Sequence, residues 1–357
     1  MVKRTGNAGR NVAAGLAVAC VVGLGLLAVP SGAGAAPELP PISAEDLLAS
    51  VAKAKPEAFN GTVGLENALG LPALPNLPQA GNGDSTARIW SDGAGRGRVQ
   101  LPSPQGERTL VSDGTTFWAW DSSTRTVTKH SESGHPGAKP DVNATDPTGA
   151  ATEAINRLRS TSQIRVDGTA EVAGRPAYEL VLAPAAQERT LLREVRIAID
   201  SEKRVPLRLT VLSNGSNDPA LQLGFTDLSF GPQDEKLFTF TPPPGTKVEE
   251  GEKHDQGQRP QRPEGVEPTI VGDGWDTVLV AKRPEGAPAD KDQPDKNQPD
   301  KDRPGGVDLN ALGTPVSGAW GSGRLITTAV ASVIVTDDGR IAMGAVPEQV
   351  LTEALAK

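Results

Sequence analysis

The chain has one cysteine, one tyrosine and three histidines among 357 residues, and aromatic residues make up only 3% of it. The single cysteine, Cys20, lies in an N-terminal apolar run, so the rest of the chain must fold without disulfides. His130, His135 and His254 have no partner at metal-ligand spacing. The sequence also contains no G-x-S-x-G, P-loop or H-E-x-x-H motif. It therefore predicts no catalytic residues, no metal and no cofactor.

An excess of basic residues is also missing. The formal net charge is −8, from 36 Lys and Arg against 44 Asp and Glu. Residues 1–35 contain Lys3, Arg4 and Arg10 but no acidic residue, so their removal moves the charge from −8 to −11. A chain of this charge offers no basic stripe to neutralise phosphates, and we expect no nucleic acid among its partners.

The N-terminus has the three parts of a secretory signal peptide. A basic segment precedes an apolar run over 12–29, and small residues follow, with Ala33-x-Ala35 as the best cleavage site. The sequence predicts a signal peptide over 1–35 and a secreted, extracytoplasmic protein of the cell envelope. An uncleaved anchor is the alternative, because the run approaches the roughly 18 apolar residues that can span a bilayer.

Lipidation at Cys20 is the less favoured alternative. Ala17 stands where the lipidation motif requires leucine, and the apolar run continues beyond the cysteine.

Two segments have the composition of linkers. Residues 251–268 are rich in Pro, Gln and charged residues, and residues 285–306 contain the units DKDQP, DKNQP and DKDRP over 290–304. Such segments contain too little apolar surface to offset chain entropy. We interpret both as extended, disordered linkers; a specific role such as wall binding is the alternative.

The dominant pattern between the signal peptide and the first linker is alternation of apolar and polar residues, which predicts strands with one apolar face. Asp113-Gly114 and Asn214-Gly215 are turn dipeptides of the kind that join such strands into an antiparallel meander. The alternating sets are Tyr178, Leu180, Leu182; Val195, Ile197, Ile199; Leu207, Leu209, Val211; and Leu221, Leu223, Phe225.

Two amphipathic helices accompany the strands. Ser43 is placed to cap a helix over 44–55 that Pro56 ends, and a second helix is expected over 147–160. The fold class is therefore mainly β (α+β). A sheet that is apolar on one face must curl around its own side chains, the helices or a ligand.

Three segments carry a family resemblance. TLVSDGTTFWAWD over 109–121 and LFTFTPPPGTKV over 237–248 resemble motifs of the bacterial lipoprotein carriers of the LolA family. VAGRPAYELVLAP over 172–184 is similar to a strand of the RseB/MucB branch of envelope regulators. The resemblance covers roughly residues 42–250, and we assign 36–250 to a LolA-like domain. It implies an unclosed, curved antiparallel sheet, a half-barrel with helices capping a hydrophobic cavity for acyl chains.

One departure from the family concerns the turn Ser91-Asp-Gly-Ala-Gly95. LolA-type carriers have an Arg-Pro turn there, whose arginine latches a helical lid. We assign no latch to this chain, and interpret the nearby Arg96 and Arg98 as solvated strand residues.

The alternation and the resemblance together predict the ligand-binding residues of the cavity. For the two tryptophans, ordinary core packing is an equal alternative. The cavity candidates are Trp118, Trp120, Leu180, Leu182, Val195, Ile197, Ile199, Leu207, Leu209 and Phe225.

The segment after the first predicted strand has leucines spaced among prolines that forbid a regular helix. It is either an apolar flap over the cavity or a loop packed on the sheet edge. The flap candidates are Leu69, Leu71, Leu74 and Leu77.

The C-terminal part again has the apolar patterns of strands and a helix. We expect a strand segment over 269–284 and a small hairpin-helix unit over 307–357, either a separate domain or docked on the first. Two function classes remain: a monomeric, non-enzymatic carrier of lipids or acylated lipoproteins, and a regulator that binds a membrane anti-sigma factor.

Overall fold

The computed structural model describes residues 37–70, 83–131, 158–250, 268–282 and 313–357. Three predicted segments lie outside these ranges. They are the signal peptide, both linkers apart from residue 268, and the helix over 147–160 apart from its last three residues. The described residues from Leu39 onward belong to one compact unit.

Two sheets and two helices make up the described chain. The helices are α1 (Ala44–Lys53) and α2 (Glu348–Leu355), and a 3-10 turn covers Glu235–Phe238. The first sheet contains β1 (Phe59–Asn67), β2 (Gly83–Ser91), β3 (Gly97–Ser103), β4 (Gly106–Ser112), β5 (Thr116–Asp121), β6 (Thr126–Ser131), β7 (Ser162–Val172), β8 (Arg175–Pro184), β9 (Leu192–Asp200), β10 (Pro206–Ser213), β11 (Pro219–Phe230) and β12 (Lys247–Glu250). The second contains β13 (Thr269–Val271), β14 (Val278–Lys282), β15 (Thr314–Gly318), β16 (Gly321–Thr327), β17 (Ser332–Thr336) and β18 (Arg340–Gly344).

The first sheet joins two meanders along one seam. The first meander runs from β1 to β6 and the second from β7 to β11. Its strand order is β12-β6-β5-β4-β3-β2-β1-β11-β10-β9-β8-β7, with β1 hydrogen-bonded to both β2 and β11. All pairs are antiparallel except the parallel pair of β12 with β6. Among the described strands β7 and β12 do not pair with each other, so the sheet is not closed. The prediction of a mainly β fold with an unclosed antiparallel sheet is confirmed.

Bulges bend the strands of the second meander. The pairing register shifts between Val166 and Thr169 in β7, between Pro206 and Arg208 in β10, and between Thr62 and Val63 in β1. Each bulge adds a residue to one strand, kinks it and increases its twist. These shifts therefore place local bends in β7, in β10 and at the seam.

Helix α1 begins and ends as its sequence predicts, to within two residues. The Ser43 hydroxyl accepts a hydrogen bond from the backbone N–H of Asp46 and caps the first turn. Ala54 is already extended, so the helix ends at Lys53, ahead of Pro56, whose ring disfavours helical backbone at Lys55.

The second sheet has its own core. Helix α2 packs on one face and, with β14, β17 and β18, buries Val278, Ile334, Ala342 and Leu351 completely. The pairing register aligns Ile270, Leu279, Met343, Val333 and Ile326 across the other face. Ile270 is 67% exposed at the edge of that row.

Polar contacts join the two sheets. The Glu188 carboxylate accepts hydrogen bonds from the backbone N–H groups of Trp275 (2.7 Å) and Asp276 (3.2 Å). Arg189 pairs with Glu353 at 2.8 Å, and the backbone of Leu191 donates to the carbonyl of Ala345 at 2.9 Å. The loop between β8 and β9 therefore carries most of this attachment.

Candidate functional site

An apolar row crosses the first sheet on one face. Pairing places Leu180 opposite Ile197, Ile197 opposite Leu209, and Leu209 opposite Leu223. Leu223 pairs in turn with Leu65 across the seam. Residues directly opposite each other in antiparallel strands project to the same face, so these side chains form one continuous surface, the apolar face.

The apolar face continues through the first meander. Two residues before Leu65, Val63 pairs with Ala87 of β2, and two residues further along β2 Ile89 pairs with Val99. Val99 pairs with Leu110, and Leu110 pairs with Ala119 of β5. A single apolar surface thus spans strands from both meanders.

Helix α1 covers one end of the apolar face. Leu47 is fully buried there against Tyr178, Leu180 and Ile199. The partly buried residues of the same cluster are Leu39, Ile42, Leu48, Val51, Ile164, Val166, Leu182 and Ile197. At β7, β8 and β9 the apolar face is therefore ordinary protein core.

Beyond β9 the apolar face is more open. The hydrophobic cluster under α1 contains no residue of β10, β11 or the strands of the first meander. Leu223 is 43% exposed, and Leu209, Leu221, Leu65 and Ile89 are half-buried. Apolar side chains in this state retain surface that a ligand can remove from water.

The opposite face of the same strands is charged. Arg196 pairs with Glu194 at 2.7 Å and with Glu179 at 3.2 Å, and Arg208 pairs with Glu179 at 2.7 Å. Burial alone lowers the pKa of Arg196, but the two carboxylates outweigh it and raise that pKa above its ordinary value. These strands carry paired charges on this face, so their other face suits an apolar ligand.

The two candidate tryptophans lie on the charged side of the sheet. Trp118 and Trp120 flank Ala119, which belongs to the apolar face, and neighbouring residues of a strand project to opposite faces. The Trp118 ring lies 5.7 Å from the Phe240 ring, and the Lys129 ammonium lies 5.2 Å from the Trp118 centroid. The structure thus places Trp118 against the closing segment over 237–248.

Two arginines also hold this closing segment. The Arg96 guanidinium lies 5.3 Å from the Phe238 ring centroid and is bonded to Asp92 at 2.6 Å. Arg98 donates to the carbonyl of Leu237 at 3.4 Å. Burial raises the pKa of Asp92, but hydrogen bonds from Arg96 and two backbone N–H groups lower it below its ordinary value overall. A cleft of about 430 Å³ beside them is lined by Glu57, Ala58, Asp92, Arg96, Gly231, Pro232, Gln233 and Glu235.

The remaining cavity candidates divide into two groups. Leu180, Leu182, Val195, Ile197, Ile199 and Leu209 lie on the apolar face. Leu207 and Phe225 also pack in a second cluster, around Val172, Ala177 and Ala198. Phe225 pairs with Val63 and therefore lies on the apolar face as predicted. Leu207 is the extra residue of the bulge between Pro206 and Arg208, which interrupts the alternation from which its placement was predicted.

Of the four flap candidates, only Leu69 is described. It is half-buried, and its carbonyl accepts a hydrogen bond from the backbone of Ala329 in the second sheet, at 2.8 Å. Leu71, Leu74 and Leu77 lie outside the described residues.

The sequence analysis missed the members of the apolar face in the first meander, from Val63 and Leu65 to Leu110. Their alternation is visible in the sequence, but their face depends on the seam between β1 and β11, which no local pattern reports. Neither described helix is long and apolar enough to cross a membrane. No trio of His, Cys, Asp or Glu side chains in the described ranges is arranged to hold a metal ion.

No protein-family model and no curated protein matches the chain. Similar folds occur among solved structures. A chain of the MucA/MucB complex of Pseudomonas aeruginosa is 19% identical, with 87% of this chain and 96% of that chain covered and a TM-score of 0.43. An uncharacterized conserved protein of Thermus thermophilus is 15% identical, with coverages of 58% and 99% and a TM-score of 0.36. A LolA superfamily protein of Nitrosomonas europaea is 12% identical, with coverages of 56% and 99% and a TM-score of 0.25.

Proposed function

We propose that this protein is a non-enzymatic, extracytoplasmic binding protein that holds an acyl chain of a lipid or lipoprotein against the apolar face. The observation that carries the proposal is the half-open stretch of that face from β10 to β3. Its side chains are apolar and uncharged, so affinity comes from burial, at about 25 cal/mol per Å² of apolar surface removed from water.

The dimensions of this stretch fit an acyl chain. Five strands from β10 through β11, β1 and β2 to β3 are separated by four spacings of about 4.8 Å, which gives roughly 19 Å. One leaflet of a bilayer is about 15 Å deep, half of a hydrocarbon core of about 30 Å. A single acyl chain can therefore lie along the row without leaving its end in water.

The N-terminal sequence supports the compartment. A basic segment, an apolar run and an Ala-x-Ala site are the features of exported proteins, and lipids and lipoproteins are available in the envelope. Acyl ligands also need no metal, nucleophile or cofactor for binding, consistent with a sequence that predicts none.

The first experiment compares two aspartate variants by native mass spectrometry after purification without detergent. Leu223→Asp places a carboxylate on the half-open part of the apolar face, at a side chain exposed enough to accept a charge in the free protein. Ile270→Asp is the matched control, because it places the same charge on the second sheet.

We expect lipid adducts on the wild-type protein and on Ile270→Asp, and loss of at least nine tenths of them from Leu223→Asp. A charge inside an apolar contact costs several kcal/mol, and each 1.4 kcal/mol is tenfold in affinity. A lipid-free wild type that also fails to bind added fatty acid contradicts the proposal. Equal adducts on both variants contradict the assignment to the apolar face.

The polar attachment of the second sheet favours a regulator as the second candidate function. Within the described ranges the second sheet has its own core and is held to the first by hydrogen bonds and one ion pair. This arrangement gives a protein partner two surfaces to contact. The matching experiment is a pull-down from detergent-solubilised envelope, with and without added lipid. A ligand shifts a binding equilibrium only through different affinities for two states. One membrane protein captured without lipid and released by it favours the regulator; lipid transfer without a stable complex favours the carrier.

A further inference from the structure

Arg204 occupies a strained position in the turn between β9 and β10. Its φ is 57°, a region that residues other than glycine rarely adopt. The turn is held by Asp200, whose carboxylate accepts hydrogen bonds from the backbone N–H groups of Glu202 (2.8 Å) and Lys203 (2.6 Å). The carbonyl of Asp200 also accepts from the backbone of Arg204 at 3.2 Å. The surrounding structure thus fixes the place of the arginine, and such strain is concentrated at functional positions.

The guanidinium of Arg204 lies at the end of the apolar face. Its central carbon is 5.2 Å from the centroid of the Tyr178 ring. Tyr178 is packed in the cluster under α1 with Leu180 and Ile199, and its hydroxyl donates to the carbonyl of Pro40 at 3.0 Å. The turn leads into β10, where the half-open part of the apolar face begins, so a ligand on that part would bring an end group at β10 toward this arginine.

One nitrogen of this guanidinium lacks an acceptor. Nη1 of Arg204 is buried and has no hydrogen-bond partner within the described chain. The two neighbouring cations, in contrast, both have carboxylate partners. Arg175 pairs with Asp200 and Glu202, and Lys203 pairs with Glu57. Buried donors in proteins are nearly always satisfied, and an unsatisfied one indicates a missing acceptor. Arg204 as a whole is half-buried, so part of its side chain reaches the surface although Nη1 itself is buried.

We propose that Arg204 binds the anionic end group, a phosphate or a carboxylate, of the acyl ligand held on the apolar face. This inference rests on the proposed function and narrows it to anionic lipids. A guanidinium is always charged and offers parallel N–H donors that match two oxygens of either anion. The guanidinium also stacks on the Tyr178 ring, and this contact holds its N–H donors in position without a ligand.

The test uses two ligands that differ only in the anionic group: palmitoyl lysophosphatidic acid and monopalmitoyl glycerol. Dissociation constants are measured for the delipidated wild type, Arg204→Gln and Arg204→Lys. Arg125→Gln is the control. Arg125 also has a positive φ, 54°, and lies in a different, exposed turn, between β5 and β6. Thermal melts check that every variant is folded.

We expect the wild type to prefer the phosphate ligand and Arg204→Gln to lose about ten- to a hundredfold in affinity for it, the usual effect of a hydrogen-bonded charge. Affinity for monopalmitoyl glycerol should stay within about twofold, Arg204→Lys should lose less than Arg204→Gln, and Arg125→Gln should match the wild type.

Equal losses for both ligands would show that Arg204 only supports the fold, and no loss for either would place the anion elsewhere; both outcomes overturn the inference but keep the proposed function. Binding of neither ligand by the wild type overturns both. Inorganic phosphate is tested alone as a separate arm: saturable binding that Arg204→Gln abolishes, without any preference between the two acyl ligands, identifies a free-phosphate site and overturns the lipid assignment.

Discussion

Asp200 is the side chain whose loss should most damage the β9 to β10 turn. It is fully buried, and its carboxylate accepts hydrogen bonds from Arg175, Glu202 and Lys203. In Asp200→Asn one oxygen becomes an NH₂ group that faces the Arg175 donor, so the ion pair is lost while the shape is kept. The pair is worth the upper part of the range for charged hydrogen bonds, about 1.5–3 kcal/mol, and breaking a buried pair costs about 3–5 kcal/mol.

We expect the free energy of unfolding to fall by roughly 2–4 kcal/mol, because Arg175 is partly exposed and keeps Glu202 as a partner. For a domain of this size each kcal/mol lowers Tm by about 2–4 °C. Urea unfolding followed by tryptophan fluorescence measures the difference, with Asp227→Asn, an exposed position on β11, as the control. Equal stability of the two variants would refute the assigned role of Asp200.

The same residue makes a pH prediction. Burial raises the pKa of Asp200, but Arg175 and the two backbone N–H groups outweigh burial and lower the pKa below its ordinary value. A carboxyl with a depressed folded-state pKa stabilises the protein above its unfolded pKa, about 3.9, and this stability disappears as pH falls through the folded-state pKa. The wild type should therefore lose more stability than Asp200→Asn between neutral pH and pH values below about 4. Parallel pH profiles would contradict this.

Three further predictions concern single contacts. Ser43→Ala removes the N-cap of α1 and should cost about 1 kcal/mol in urea unfolding, whereas Ser43→Asp should cost little. Glu188→Ala removes the acceptor of two backbone N–H groups, so hydrogen exchange should accelerate over 268–282 but not over 83–131; unchanged exchange would show that other contacts hold the second sheet. Replacing 290–304 by a Gly/Ser stretch of equal length should change stability by less than about 0.5 kcal/mol, and loss of folding would show that the repeats make specific contacts.

Local patterns predicted the elements of this fold well, because strand alternation and helix capping are short-range properties. The alternation of Val195, Ile197 and Ile199 placed β9 and its apolar side correctly, and Ser43 with Pro56 bounded α1. Sequence periodicity also found the hairpin and helix of the second sheet, whose elements are neighbours in the chain.

The same local patterns do not report how strands that are distant in the sequence pair or which face they share. Trp118 and Trp120 share a face with each other, as alternation requires, but whether that face meets Leu209 depends on every pairing register between β5 and β10. Bulges have no dependable local signal either, and the one at Leu207 interrupts the alternation on which the predicted placement of that side chain depended. Arg204 has an ordinary turn sequence, and only the structure shows its unpaired nitrogen.

The seam between β1 and β11 sets the order in which the chain can fold. Both meanders are built from hairpins of near neighbours, yet Phe59 of β1 pairs with Phe230 of β11. The pairing of β1 is therefore complete only after the much later strand β11 has formed. Closing so long a loop is entropically expensive and slows folding, and until it closes β1 has a free edge. A truncated chain that stops before β11 should consequently be aggregation-prone, because β1 keeps that unpaired edge.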